Sequence, residues 1–120
     1  MPASHHFIGD GPLSERLRGP RGDGAALIAD MRPLVRVSGL EILAEQAIPL
    51  DHGGTTLVWV LAESHLVVHV WPARDFATID LHVCDDRSSQ LLKAVRLRDA
   101  LDGFCFPPGT GTWCATTAGR

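Results

Sequence analysis

The chain has 120 residues, 45% of them hydrophobic, and a net charge of −3, enough for one domain with one core and small enough that a site can draw on a second copy. Its basic residues are scattered rather than gathered into a stripe, which excludes an electrostatic nucleic-acid surface, and no apolar run reaches the roughly 18 to 20 residues that span a bilayer. Three cysteines without C-x-x-C spacing (Cys84, Cys105, Cys114) exclude a disulfide framework and a structural zinc site.

The N-terminal MPASHHFIGDG has no basic-then-apolar signal pattern, so a cytoplasmic protein with no membrane partner is expected. From His5 to Ile8 a short strand is expected, broken by Gly9-Asp10-Gly11, and Pro12 to Gly24 reads as loop. Adjacent His5 and His6 on a strand point to opposite faces, which favours structural roles over a metal pair. From Ala25 to Val37 the apolar residues recur at three and four, predicting an amphipathic helix that Pro33 kinks or ends early. Leu40 to Ile48 reads as a strand and Leu50 to Gly54 as the following turn.

Thr55 to Ala62 and Leu66 to Trp71 are rich in β-branched and aromatic residues, the pattern of two antiparallel strands with Glu63-Ser64 at their junction. In Phe76 to Cys84, Ile79, Leu81 and Val83 point one way while Thr78, Asp80, His82 and Cys84 point the other. A second helix is expected over Ser88 to Asp102, capped by Ser88 or Ser89 and ended by Gly103, with an irregular tail beyond that carries Cys105 and Cys114 without chemistry. The order predicts one α/β (α+β) domain over residues 1–120, a two-layer sandwich with a mostly antiparallel sheet and helices on one face.

The chemistry gathers around Glu63-Ser64-His65, with His69 and Cys84 five and twenty positions beyond the serine. Self-cleavage at a serine needs a hydroxyl that attacks the preceding carbonyl, a strained backbone and a base. Ser64 supplies the hydroxyl and Glu63 the carbonyl. The resulting ester loses the Glu63 carboxylate when the Ser64 α-proton is removed, and the dehydroalanine left behind hydrolyses to a pyruvoyl group. Such a ketone forms a Schiff base with a substrate amine and draws electrons from the α-carbon as carbon dioxide leaves. His69 is the candidate base and Cys84 the candidate proton donor, since both residue types titrate within reach of neutral pH. The tripeptide by itself fits equally a plain hairpin turn, with His69 a strand histidine and Cys84 a small buried residue.

The longer pattern is more specific. From Val60 to Asp85 the chain carries an apolar strand, Ala62-Glu63-Ser64-His65, an apolar run to His69, Trp71-Pro72, an alternating strand through Asp80, and Cys84. This segment resembles bacterial S-adenosylmethionine decarboxylase proenzymes, and the order of elements resembles that family from about His5 to Leu101. The resemblance implies cleavage between Glu63 and Ser64 into fragments 1–63 and 64–120, the second headed by a pyruvoyl cofactor derived from Ser64. It also implies that His69 is the processing base, that Cys84 is the catalytic proton donor, and that Thr56 assists processing where the family has a serine. A homodimer with shared active sites, acting on a small-molecule amine in polyamine biosynthesis, is implied as well.

Two departures bear on the substrate. Ala73 stands where the family has a glutamate that binds ribose hydroxyls, and Leu50 where it has a phenylalanine that stacks on adenine; Gly11 replaces a frequently bulky residue beside the nucleoside. Each lost charge-assisted hydrogen bond is worth about 1.5 to 3 kcal/mol and a lost stack about 0.5 to 1.5 kcal/mol. The expected substrate is therefore a basic amino acid, L-ornithine or L-arginine, with Asp10, Asp51 or Asp75 facing its distal cation and Trp71 lining the site. The alternatives are S-adenosylmethionine itself, with Phe76 or Phe7 as the stacking partner, and a non-catalytic homologue that regulates an active partner. A non-catalytic copy has no physical need for Ser64, His69 and Cys84 together.

Overall fold

Alternation along the strands decides which side of the sheet is covered. The computed structural model describes residues 2–18 and 24–119. Its strands are β1 (Ser4–Gly11), β2 (Ile42–Pro49), β3 (Thr55–Leu61), β4 (Ser64–Trp71), β5 (Phe76–Cys84) and β6 (Thr112–Ala118), with helices α1 (Ala25–Ser38) and α2 (Leu91–Cys105). Single 3-10 turns lie at Glu15–Leu17, Asp51–Gly53 and Pro72–Arg74. The strands form one antiparallel sheet in the order β2-β3-β4-β5-β1-β6.

Leu57, Trp59, Leu66, Val68, Ile79, Leu81 and Phe7 face the helices and are buried against Leu27, Met31 and Val35 of α1 and Ala94, Leu97 and Leu101 of α2. This is the expected α+β sandwich. Residues of opposite parity, including Thr56, His65, His69, Thr78, Asp80, His82, His6 and Asp10, lie on the other face, which neither helix covers.

Four expectations are corrected. β1 runs through Gly9 to Gly11 instead of breaking, because Gly9 makes room for a ring: a Cβ there would lie 2.7 Å from the Trp113 indole. α1 passes Pro33 and ends at Ser38; Pro33 and Ala29, whose carbonyl loses its partner, are both on the exposed side, while Met31 and Val35 hold the buried side. α2 starts at Leu91 and continues through Gly103 to Cys105, and Ser89 Oγ accepts the Leu91 N–H at 3.2 Å. The tail is not irregular: β6 pairs with β1 from Thr112 opposite Asp10 to Ala118 opposite Ser4. Cys105 is buried at the end of α2, and burial, with Asp102 adding, pushes its thiol up to about 12. Residues 19–23 of the expected loop lie outside the described residues.

Helix and sheet are tied by a polar contact. Arg32 Nε donates to Glu45 Oε2 at 2.8 Å, and the indole N–H of buried Trp59 donates to Glu45 Oε1 at 3.1 Å. The hydrogen bond from Arg32 holds the Glu45 carboxyl below its ordinary value, against an opposing effect of burial. A lowered folded-state pKa contributes stability that is present above the unfolded value and lost as pH falls through the folded one. Glu45→Gln is thus expected to melt at a lower temperature than wild type at neutral pH, with the gap closing on acidification. Thermal melts of both proteins across the acid range check this.

Candidate active site

Two residues, Ala62 and Glu63, join β3 to β4, with Leu61 opposite Ser64 in the register. The turn is pinned at three points. Ala62 N–H donates to the Glu41 carbonyl at 2.9 Å, the Glu63 carboxylate accepts the Glu41 N–H at 3.1 Å, and the Glu63 carbonyl accepts the Cys84 N–H at 2.7 Å. Ser64 then has φ 154°, a region that residues with a Cβ rarely occupy. Val83, its register partner on β5, faces the core, yet the Ser64 hydroxyl reaches the open face. There Ser64 Oγ lies 2.9 Å from His82 Nδ1 and 3.1 Å from His65 Nδ1.

A histidine row surrounds the serine. His65, His82 and His6 are consecutive register partners across β4, β5 and β1, with ring centroids 5.4 Å and 5.3 Å apart. Asp80 accepts from His6 Nε2 at 2.7 Å and lies 3.7 Å from His65 Nε2. Burial pushes the His82 imidazole below its ordinary value, His65 and His6 add to this, and Asp80 opposes it. His5 points the other way and bonds Thr117 and Asp85, as adjacent strand histidines must. Among the described residues, no group of three or more His, Cys, Asp or Glu side chains is arranged to hold a metal ion.

The remaining candidates are divided between the two ends of the strands. Cys84, exposed, ends β5 beside Val83 and so lies at the Ser64 end. Thr56 and His69 are register partners, joined by a 2.8 Å hydrogen bond between Oγ1 and Nδ1. His69 stacks on Trp71, which stacks on Phe76, at centroid separations of 5.4 Å and 6.1 Å. Five residues along β4 correspond to about 16 Å, so one chain does not bring the Thr56–His69 pair to Ser64.

Asp10 is exposed on the open face, in the row of Thr78, His69 and Thr56. Asp75 is engaged by the Leu13 N–H at 3.1 Å and by Arg18 at 3.3 Å, which ties the loop after β1 to the β4–β5 turn. Asp51 is exposed, in the turn beside half-exposed Leu50. Ala73 is exposed in its own turn. Phe7 lies in the core at 4% exposure and so cannot stack on a ligand, which corrects that alternative; Phe76, at 36%, is accessible.

Sequence reasoning overlooked the grouping of Ser64 with His65, His82 and His6. The alternation of β5 already placed His82 on the face of Cys84, but His6 joins only through the long-range pairing of β1 with β5.

The fold is a two-layer α+β sandwich whose β3–β4 hairpin is pinned and holds its serine at φ 154°. A family model described as S-adenosylmethionine decarboxylase matches residues 22–103. The S-adenosylmethionine decarboxylase proenzyme of Pyrobaculum arsenaticum is 40% identical over 68 residues, which cover 56% of this chain and 54% of that protein. The arginine decarboxylase proenzyme of Caldivirga maquilingensis is 42% identical over 38 residues, 32% of this chain and 28% of that protein. The crystal structure of the adenosylmethionine decarboxylase from Aquifex aeolicus VF5 shares the fold with a TM-score of 0.76 at 22% identity, covering 96% of this chain and 89% of that one. The chain spans about half the length of the curated relatives it matches. It belongs to the S-adenosylmethionine decarboxylase family, a family of pyruvoyl-dependent decarboxylase proenzymes.

Proposed function

We propose that the chain cleaves itself between Glu63 and Ser64 and then acts as a pyruvoyl-dependent decarboxylase of S-adenosylmethionine. The observation that carries the processing half is the Ser64 backbone at φ 154° beside a Glu63 carbonyl held at 2.7 Å by the Cys84 N–H. These residues fit a serine that becomes the cofactor: the hydroxyl, the strained bond and the engaged carbonyl are adjacent. Once formed, the pyruvoyl group supplies an electrophilic carbonyl that takes up a substrate amine and accepts electrons during decarboxylation. Cys84, exposed at the Ser64 end of β5, holds the proton that replaces the lost carboxylate. His69, its Nδ1 fixed by Thr56, is the processing base contributed from a second copy.

This arrangement supports a homodimer joined through the uncovered sheet face. One chain separates Ser64 and Cys84 from Thr56 and His69, and two open faces packed against each other bring the halves together. That face also carries half-exposed Ile8 and Val60, which such packing would bury. No described helix is long and apolar enough to cross a membrane.

S-adenosylmethionine is favoured because the family match and the longer alignments carry that name, and the stacked, accessible Trp71–Phe76 pair offers an aromatic face for adenine. A second reading, a basic amino acid as substrate, is favoured by Ala73 and Leu50, which supply neither a ribose acceptor nor a π face, and by the short match to an arginine decarboxylase proenzyme. Asp10, exposed in the His69 row, would then meet the distal cation. Intact-mass analysis of the purified protein is expected to find fragments 1–63 and 64–120, the latter with a blocked N-terminus. Carbon dioxide release measured side by side on S-adenosylmethionine, ornithine, arginine and lysine separates the substrates. Release from S-adenosylmethionine is expected, and release from arginine or ornithine alone would replace the first reading with the second.

A further inference from the structure

We infer that His82 is the general base that activates the Ser64 hydroxyl for attack on the Glu63 carbonyl, with the Cys84 backbone N–H as the oxyanion donor. The inference rests on the self-processing reading and assigns its first chemical step. His82 Nδ1 is 2.9 Å from Ser64 Oγ, the shorter of the two histidine contacts, whereas His69 is bound to Thr56 and stands well down β4. A hydroxyl has one proton and two acceptor lone pairs. With its proton given to His82 Nδ1, Ser64 keeps lone pairs that can accept from His65 Nδ1–H.

The groups around His82 support a neutral acceptor. On β4 it faces Ser64 and His65, on β1 His6, and along β5 Asp80 and Cys84 share its side. Partial burial and the two flanking imidazoles outweigh Asp80, so His82 holds its proton less tightly than a free histidine does. Asp80 is meanwhile engaged by His6 Nε2 at 2.7 Å.

The step balances without a co-reactant. Ser64 Oγ bonds to the Glu63 carbonyl carbon as its proton passes to His82 Nδ1, and the charge that develops on the Glu63 oxygen meets the Cys84 N–H. The bond from that carbon to the Ser64 nitrogen then breaks as the imidazolium returns its proton to the nitrogen. The product is an ester on Ser64 with a free Ser64 amine. Release of the φ 154° strain favours it. Removal of the α-proton, the later step, is left to His69 of a second copy.

The test follows full-length precursor made by cell-free translation, scored by mass spectrometry for fragment 64–120 and by cleavage with hydroxylamine, which cuts the ester but spares the amide. His82→Ala is expected to self-cleave about 10² to 10⁴-fold more slowly, to resist hydroxylamine, and to regain cleavage with added imidazole. The wild-type rate should rise with pH and level off through an inflection below the usual imidazole value of about 6.5, because only the unprotonated ring accepts the proton. His82→Gln, which keeps a polar side chain in the row, should lose that inflection. Wild-type rates in His82→Ala, hydroxylamine sensitivity equal to wild type, or slow cleavage with no imidazole rescue and an unchanged pH profile would each overturn the assignment. Loss in His65→Gln with none in His82→Ala would move the base to His65. A wild-type chain that stays whole sinks the self-processing reading itself, an outcome distinct from all of these.

Discussion

Ser64→Ala is expected to leave the chain whole and without decarboxylase activity. The nucleophile of the cleavage and the carbon skeleton of the cofactor both come from this one residue, so no neighbour can substitute. Thr56, the hydroxyl expected to assist, is pinned to His69 farther down the sheet. Folding should survive, because alanine meets the same backbone strain at φ 154° as serine and Ser64 is only half-buried. A stability change of about 1 kcal/mol or less is expected. Intact mass after prolonged incubation, paired with a thermal melt, separates lost chemistry from lost structure. Fragments at the wild-type rate would exclude Ser64 as the cleavage nucleophile.

Cys84→Ala is expected to separate processing from turnover. The backbone N–H of residue 84 holds the Glu63 carbonyl, and alanine keeps that N–H. Cleavage should therefore proceed at close to the wild-type rate. The thiol is what alanine removes, and loss of a positioned proton donor lowers turnover by about 10² to 10⁴-fold. Fragment yield and carbon dioxide release measured on the same sample give both quantities. A variant that stays uncleaved would place the thiol, rather than the backbone amide, in the processing step, and one that turns over normally would remove Cys84 from catalysis.

Much of the architecture was legible locally. The alternation of Ile79, Leu81 and Val83 against Thr78, Asp80, His82 and Cys84 describes β5 as it stands, and the β-branched runs on either side of Glu63-Ser64 describe the hairpin. Local signals misled where tertiary contacts outweighed them. Gly9-Asp10-Gly11 has the composition of a break, but Trp113 fills the space beside Gly9 and the strand continues. Pro33 has the chemistry of a helix stop, but Ala29, whose carbonyl it leaves unmatched, is on the exposed side and the buried side of α1 holds. The Pro- and Gly-rich tail becomes β6 only because β1 presents a free edge to it.

By itself, the order of residues determined the chemistry on offer: a serine after a glutamate in a tight hairpin, a histidine and a cysteine at strand spacing beyond it, and the family to which that pattern belongs. Only the tertiary structure decided which groups meet. Residues five apart on a strand stand about 16 Å apart, so His69 sits with Thr56 and away from Ser64 even though the Ser64 hydroxyl reaches the same open face. The pairing of β1 with β5, between strands some seventy residues apart, carries His6 to His82 and sets the row that faces the serine. Register of that kind is chosen by which side chains the core buries, a property of the assembled sheet rather than of any one segment.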